Sequence, residues 1–132
     1  MADWKAPDTL KYTENDEWIR VEGNTGTIGI TDFAQDQLSD IVYVEILVEE
    51  GDEISKGDSI ATIESVKAAA DVYAPASGTV TAINEDLGDT PEKVNSDPYG
   101  AAWMIKLELS DTGELDELMD TSAYEQHVAE QE

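Results

Sequence analysis

At its centre the chain reads Ile63-Glu64-Ser65-Val66-Lys67-Ala68-Ala69-Ala70-Asp71-Val72-Tyr73-Ala74-Pro75. The single cation of this stretch, Lys67, stands among small and apolar residues in a protein that has 31 acidic and 7 basic residues. A lysine in this setting indicates a side chain that is presented to another molecule. We expect that molecule to be a modifying enzyme.

The local signals around Lys67 disagree about secondary structure. Alanines 68–70 favour a helix by intrinsic propensity. Ile60, Ile63 and Ala70 could also lie on one face of such a helix. Pro75, Gly78 and the β-branched residues near them favour strands instead. Periodicity alone therefore leaves both structures open.

The motif Glu-Ser-Val-Lys-Ala-Ala at residues 64–69 is followed by Asp-Val-Tyr-Ala-Pro-Ala-Ser-Gly at residues 71–78. Other motifs flank them: Glu17-Trp18, Thr-Ile-Gly-Ile-Thr-Asp at 27–32, Asp-Ile-Val-Tyr-Val-Glu at 40–45, Asn-Ser-Asp-Pro-Tyr-Gly at 95–100 and Trp-Met-Ile-Lys at 103–106. With these motifs the chain resembles the glycine cleavage system H-protein family from about Tyr12 to His127. One departure is Asp16, where that family commonly has histidine.

The resemblance implies an all-β fold with minor helices. We expect a flattened β-sandwich or barrel of the lipoyl/biotinyl-domain type, a barrel-sandwich hybrid, with Lys67 at a hairpin tip and short peripheral and C-terminal helices. The length fits one domain over residues 1–132. Its lipoyl core is expected at about 27–109 and a C-terminal helical extension at about 114–130, which is more than a minimal lipoyl domain needs.

Strand signals occur on both sides of the central stretch. Residues 17–22 and 27–30, with a turn at 23–26, predict a hairpin. Residues 41–48 form a continuous apolar run, which predicts a central strand. Residues 103–109 alternate and predict a strand with one buried face.

Helix signals are short and lie at the periphery. Thr31 or Asp32 is expected to cap a short helix, and a helical turn is expected near residues 91–93. Residues 114–119 group their apolar side chains as a helix would. Residues 122–125 match a capping box that begins at Ser122.

The resemblance implies lipoate bound covalently to Lys67. In the family this arm carries an aminomethyl group from glycine decarboxylase (P protein) to a tetrahydrofolate-dependent aminomethyltransferase (T protein). The resulting dithiol goes to dihydrolipoamide dehydrogenase (L protein), and a separate lipoylating enzyme attaches the cofactor. The chain itself is then a noncatalytic carrier, because the cofactor supplies the chemistry.

Four further residues match functional positions of the family. Glu64 and Gly78 match positions that lipoylating enzymes read, although Glu64 could be an ordinary surface acid and Gly78 a turn residue. Glu17 and Asp71 match acidic positions of a cleft that holds the loaded arm, and each could equally be one more solvated acid.

Three alternatives remain for Lys67. A lipoyl-relay protein, which passes lipoate to other apo-proteins, would have the same sequence features. A biotin carrier usually has methionines on both sides of its lysine, where this chain has Val66 and Ala68. A Schiff-base nucleophile needs a neutral amine, which Glu64 and Asp71 disfavour.

Composition excludes several classes of partner. A formal net charge of −24 repels nucleic acid and anionic membranes. The chain has no cysteine and one histidine, His127, which cannot form a metal site alone. The N-terminus has no leader pattern and no apolar run reaches the length of a membrane helix, so we expect a cytoplasmic protein. The dispersed acidity suggests a halophilic source, because molar salt screens such repulsion.

Overall fold

The computed structural model describes residues 9–131, with side chains through residue 130. Residues 1–7, on which the expectation of no leader rests, lie outside this range. Over these described residues, nine strands form two antiparallel sheets that do not close on each other. The predicted all-β sandwich is therefore confirmed, in its open form.

The larger sheet has six strands and the smaller has three. In spatial order the six are β1 (Lys11–Tyr12), β2 (Glu17–Glu22), β3 (Thr25–Ile30), β9 (Ile105–Leu109), β8 (Gly78–Ile83) and β5 (Glu53–Ile54). The three are β4 (Ile41–Ile46), β6 (Ser59–Ser65) and β7 (Ala69–Tyr73). An aliphatic core between the sheets includes Ile28, Ile63, Val80, Ile105 and Leu107.

The predicted hairpin at residues 17–30 is present, with a tighter turn than expected. Glu22 pairs with Thr25, so Gly23 and Asn24 alone form the turn. Gly23 has a φ of 62°, a left-handed conformation that glycine adopts at little cost. The Asn24 side chain donates to the Leu109 carbonyl at 3.0 Å, which ties the turn to β9.

The prediction of a central strand at residues 41–48 was wrong. β4 pairs with β6 alone and is an edge strand of the smaller sheet. Its register shifts between Ile41 and Tyr43, so Val42 is the extra residue of a β-bulge. Because a bulge re-aims side chains, both Val42 and Tyr43 are exposed although the run is apolar.

The short helices confirm some of the predicted signals and correct others. α1 (Asp32–Leu38) is capped by Thr31, whose hydroxyl accepts the Ala34 N–H at 3.1 Å. α2 (Lys93–Ser96) lies near the expected helical turn, and residues 114–119 belong largely to a 3₁₀ turn, Thr112–Glu117. α3 (Thr121–Gln131) begins before Ser122. Its cap is Asp120, which accepts the Ala123 N–H at 2.9 Å.

A second, aromatic core anchors α3 to the sandwich. Tyr12 and Tyr124 stack with ring centroids 4.5 Å apart, next to buried Trp18 and Phe33. The Tyr124 hydroxyl donates to the Asp16 carboxylate at 2.9 Å and lies 2.7 Å from the Thr31 hydroxyl. The C-terminal segment is thus packed against the start of the chain.

Candidate functional site

Lys67 lies in the tight turn that joins β6 to β7, here named the Lys67 turn (residues 65–68). The Ser65 N–H donates to the Ala68 carbonyl at 2.8 Å, which closes the turn. The Ser65 hydroxyl oxygen accepts the N–H groups of Lys67 and Ala68 at 3.3 and 3.0 Å. A local side chain therefore holds the backbone on which Lys67 stands.

The Lys67 turn is also tied to the neighbouring strand. The Val66 N–H donates to the Asp40 carbonyl, just before β4, at 3.0 Å. Ala68 and Ala69 are too short to cover Lys67, which is exposed. Within residues 9–131 the Lys67 ammonium has no hydrogen-bond or ion-pair partner, so its amine is free to react.

The conflict between helix and strand resolves in favour of the hairpin implied by the resemblance. Ile63 pairs with Ala70 and Glu64 with Ala69 across β6 and β7. Burial of the inward face against the larger sheet overrides the helix propensity of the alanines, because propensity amounts to only a few tenths of a kcal/mol per residue.

Glu64 is exposed on the outward face of the smaller sheet, three residues before Lys67. Its cross-strand neighbours are Tyr43 on β4 and Ala69 on β7. An enzyme that approaches Lys67 can contact this carboxylate directly.

Gly78 is in a different environment. It is buried at the start of β8 and pairs with both Ile54 and Leu109. A Cβ at this position would overlap the Glu108 carbonyl oxygen. The structure thus gives a packing reason for glycine here, since two backbones approach closely.

Glu17 lies at the other end of the β6–β7 hairpin from Lys67. It is 2% exposed, and its carboxylate accepts the Tyr73 N–H at 2.6 Å and the Thr13 hydroxyl at 2.9 Å. Glu17 belongs to the larger sheet and Tyr73 to the smaller one, so this carboxylate joins the two. We name the three residues the Glu17 junction.

Burial raises the pKa of the Glu17 carboxyl from 4.5 to about 7. The hydrogen bonds from Tyr73 and Thr13 act in the opposite direction, and the nearby Asp16 carboxylate adds to the rise. At neutral pH the protonated and the ionised forms of this carboxyl are therefore both populated.

Asp71 is exposed on β7 and meets the Glu17 junction only through Tyr73. The Tyr73 hydroxyl donates to Asp71 over a long 3.4 Å, and the Thr62 hydroxyl does so over 3.5 Å. Glu17 and Tyr73 line a cavity of about 370 Å³, which Asp71 does not line. Other lining residues come from five segments of the chain: Thr13, Asn15, Lys56, Pro75, Met119 and His127.

Sequence reasoning missed Thr13 and Asp16 as parts of this site. Asp16 has a φ of 67°, and burial raises its pKa while the hydrogen bond from Tyr124 and the charge of His127 lower it. No local pattern marks a threonine or tyrosine as the partner of a distant carboxylate. The departure from histidine at position 16 was the one available signal.

The surface charge is largely unpaired. Over the described part of the chain the one ion pair joins Lys56 and Glu117 at 3.5 Å, beside the cavity. No group of three or more metal-ligating side chains occurs in the same range. None of the helices described here has the length and apolar character needed to cross a membrane.

A small two-sheet sandwich with a free lysine at a hairpin tip defines a carrier domain, a protein that tethers a cofactor to one side chain. The profile of the Glycine cleavage H-protein family matches residues 10–131. The chain belongs to this family. Since its members carry lipoate covalently on a lysine, the chain is a lipoyl carrier.

Individual relatives agree with the family match. The glycine cleavage system H protein of Carboxydothermus hydrogenoformans is 55% identical over 125 residues, covering 95% of each chain. The probable glycine cleavage system H protein of Haloarcula marismortui is 50% identical, over 92% of this chain and 95% of that one. The crystal structure of a glycine cleavage system H protein from Mycobacterium marinum superposes with a TM-score of 0.84 at 32% sequence identity. The match covers 93% of this chain and 98% of that one.

Proposed function

We propose that Lys67 is the residue that carries lipoate and that the chain is the noncatalytic carrier of a glycine cleavage system. The free amine of Lys67 at the tip of a hydrogen-bonded turn supports this most directly. Attachment through an amide needs an amine that the modifying enzyme can reach, and Lys67 meets that requirement because its side chain is exposed.

The protein's own residues hold and present the arm. When bound, lipoate supplies a dithiolane that accepts a group and electrons. Ser65 and the Val66–Asp40 hydrogen bond fix the Lys67 backbone, so that the mobile part begins at the side chain. Amide formation also removes the positive charge of Lys67 from an acidic surface.

The partners of such a carrier are glycine decarboxylase (P protein), the aminomethyltransferase (T protein) and dihydrolipoamide dehydrogenase (L protein), together with a lipoylating enzyme. Each can bind the same arm in turn, because tethering gives the cofactor a high effective concentration at a docked active site. In this proposal the chain contributes no catalytic residue, and it acts as a substrate of each of these enzymes.

For lipoylation we assign direct recognition to Glu64 and an indirect contribution to Gly78. Glu64 is exposed beside Lys67, where an enzyme can read its charge. Gly78 is buried, and its contribution is to let β8 and β9 pair closely beneath the smaller sheet.

For the loaded arm we propose a cleft that begins at the cavity next to the Glu17 junction. An aminomethyl-loaded arm carries a cationic amine. Glu17 offers a carboxyl group at this cavity, and Asp71, outside the cavity, offers a carboxylate that bonds the Tyr73 hydroxyl. A bound cation would favour the charged form of Glu17, so we expect loading to lower the pKa of that carboxyl.

The experiment is the intact mass of the protein purified from its native host, followed by peptide mapping. A lipoyl mass increment on the peptide that contains Lys67 is expected. A biotin increment, a lipoyl group on another lysine, or no modification would overturn the proposal. Passage of the one-carbon unit from the loaded chain to tetrahydrofolate on the T protein distinguishes glycine cleavage from lipoyl relay, which needs no such transfer.

We also propose a single working domain, a cytoplasmic location and a surface adapted to high salt. The net charge of −24 with one ion pair among residues 9–131, and the halophilic archaeal relative, support the last point. Equal stability with and without molar salt would contradict it.

A further inference from the structure

The bulged edge of the smaller sheet leaves an apolar patch beside Lys67. Val42 is 54% exposed, Tyr43 43% and Val66 65%. Ile41 pairs with Ser65, Tyr43 with Glu64, and the Val66 N–H donates to the Asp40 carbonyl. Val42, Tyr43 and Val66, named here the tip patch, therefore lie at the same end of the smaller sheet as Lys67.

The tip patch is unusual for an edge strand. Proteins ordinarily protect exposed edges with charged residues or cover them, because unpaired backbone groups and apolar side chains promote association. This chain has acidic residues in abundance, yet three apolar side chains occupy this position. Exposed apolar groups that lie together beside a reactive residue indicate an interaction surface.

Carboxylates border the tip patch. Glu45 follows Tyr43 by two residues and lies on the same outward face of β4, and exposed Glu64 lies opposite Tyr43 on β6. Exposed Asp40 precedes the strand. Lys67 is the cation nearest in sequence to this cluster. A partner that fits has an apolar centre with arginine or lysine around it.

We propose that the tip patch is the docking surface for the enzyme that attaches the cofactor to Lys67. This rests on the proposed function of Lys67 and goes beyond it by assigning the surface. The Lys67 ammonium first gives up one proton to solvent, and the resulting amine attacks the carbonyl carbon of an acyl adenylate or acyl thioester held by that enzyme. An amide C–N bond forms, the bond to the activating group breaks with its electron pair, and a proton passes to solvent.

Geometry selects this enzyme over the other partners. Before modification the reacting atom is at the end of a four-carbon stem, so the enzyme must cover the residues that surround Lys67. The loaded arm is longer, so a partner that acts at its far end can dock elsewhere on the chain. A second copy of the chain is disfavoured, because two surfaces of a protein with net charge −24 repel each other.

The test measures the rate of lipoylation by the purified enzyme against the concentration of apo-protein, using intact mass. For Tyr43→Thr and Val66→Thr we expect KM to rise roughly tenfold, the size typical of an interface residue that contributes strongly, with kcat unchanged. Threonine suits the strand at position 43, and at position 66 it keeps the β-branched shape of valine. Because Val66 lies in the turn outside the strand, its variant remains informative if Tyr43→Thr unfolds.

The matched control is Leu47→Thr. Leu47 is 46% exposed and follows the same strand. It lies about 16 Å from Val42 at roughly 3.3 Å per residue. Its KM is expected to stay within about twofold of wild type. A second pair tests the charged border: Glu45→Lys should raise KM, and Glu22→Lys on the larger sheet should not.

Each outcome decides the proposal. Unchanged KM values for both patch variants, in chains that unfold at the wild-type temperature, would overturn it. The proposal would also be overturned if the patch variants raised only the KM of the aminomethyltransferase for the loaded chain, because the tip patch would then bind that enzyme instead. A wild-type chain that is never modified at Lys67 would instead remove the proposed function itself, and the docking surface with it.

Discussion

The two ends of the β6–β7 hairpin are built in opposite ways. At the tip, the Lys67 turn is closed by hydrogen bonds between residues within four positions of one another, and the Lys67 side chain reaches solvent. At the base, the Glu17 junction joins residues 56 positions apart, and its carboxylate is buried. A carrier needs both, because a freely moving arm is useful only when the hairpin that bears it is fixed to the body.

The largest effect is expected from Lys67→Arg at the tip. Arginine keeps the charge but has no primary amine for an amide, so cofactor loading should fall below detection. Stability should stay within about 0.5 kcal/mol of wild type, as for an exposed residue without partners. Intact mass after incubation with the lipoylating enzyme measures the cofactor loading, and urea unfolding measures the stability. Residual loading of the variant would show that another lysine is used.

At the base, Glu17→Gln should change how stability depends on pH. Burial raises the pKa of Glu17 from 4.5 to about 7, so wild type gains its full stability from this group below pH 4.5 and loses it as pH rises through 7. The loss is about 3 kcal/mol at about 1.4 kcal/mol per pH unit. The amide stays neutral and can still bond Tyr73 and Thr13.

Urea unfolding at constant salt between pH 4.5 and 8 measures this difference. Wild type is expected to lose about 3 kcal/mol more than Glu17→Gln over the range. Glu22→Gln, at the exposed end of the same strand, is the control and should follow wild type. Parallel curves for wild type and Glu17→Gln would mean that Glu17 titrates normally.

Gly78→Ala separates packing from recognition. The added Cβ overlaps the Glu108 carbonyl oxygen, so β8 and β9 must shift, at a cost of roughly 2 kcal/mol. Thermal unfolding measures this destabilisation. The control is Gly88→Ala, whose added Cβ would lie in open space. Slow lipoylation with an unchanged unfolding temperature would instead make Gly78 a residue that the enzyme contacts.

The smallest effect is expected from Ser65→Ala in the Lys67 turn. The variant loses two hydrogen bonds to turn amides in an exposed segment, a destabilisation of about 1 kcal/mol. Hydrogen exchange of the Ala68 amide should become faster, while exchange at Tyr73 stays unchanged. Ser65→Thr keeps the hydroxyl and should restore protection. A change that spreads to Tyr73 would mean that the two ends are not independent.

Several local features were predicted correctly because their physics is local. Thr31 caps α1 through a bond to a residue three positions away, and Gly23 permits the hairpin turn through its own backbone freedom. Ser122 shows the limit of such patterns. It matches a capping box, but the competing Asp120 lies two residues earlier and starts the helix there.

The errors and omissions concern residues whose environment depends on distant parts of the chain. The apolar run at residues 41–48 is typical of a central strand, but which strands flank it is decided by the sheet order and by the bulge at Val42. Likewise, nothing near Glu17 in the sequence indicates that Tyr73 will donate to it. Burial and pairing across 56 positions are properties of the assembled sandwich.

The family and the all-β class could be derived from the order of residues alone, because motifs around Lys67 and along most of the chain are specific to one family. The same motifs predict Lys67 as the carrier lysine. Tertiary structure decided the rest: the exposed edge at Tyr43, the packing role of Gly78 and the raised pKa of Glu17. These depend on which surfaces lose water and which backbones meet, and both are set only when the two sheets pack.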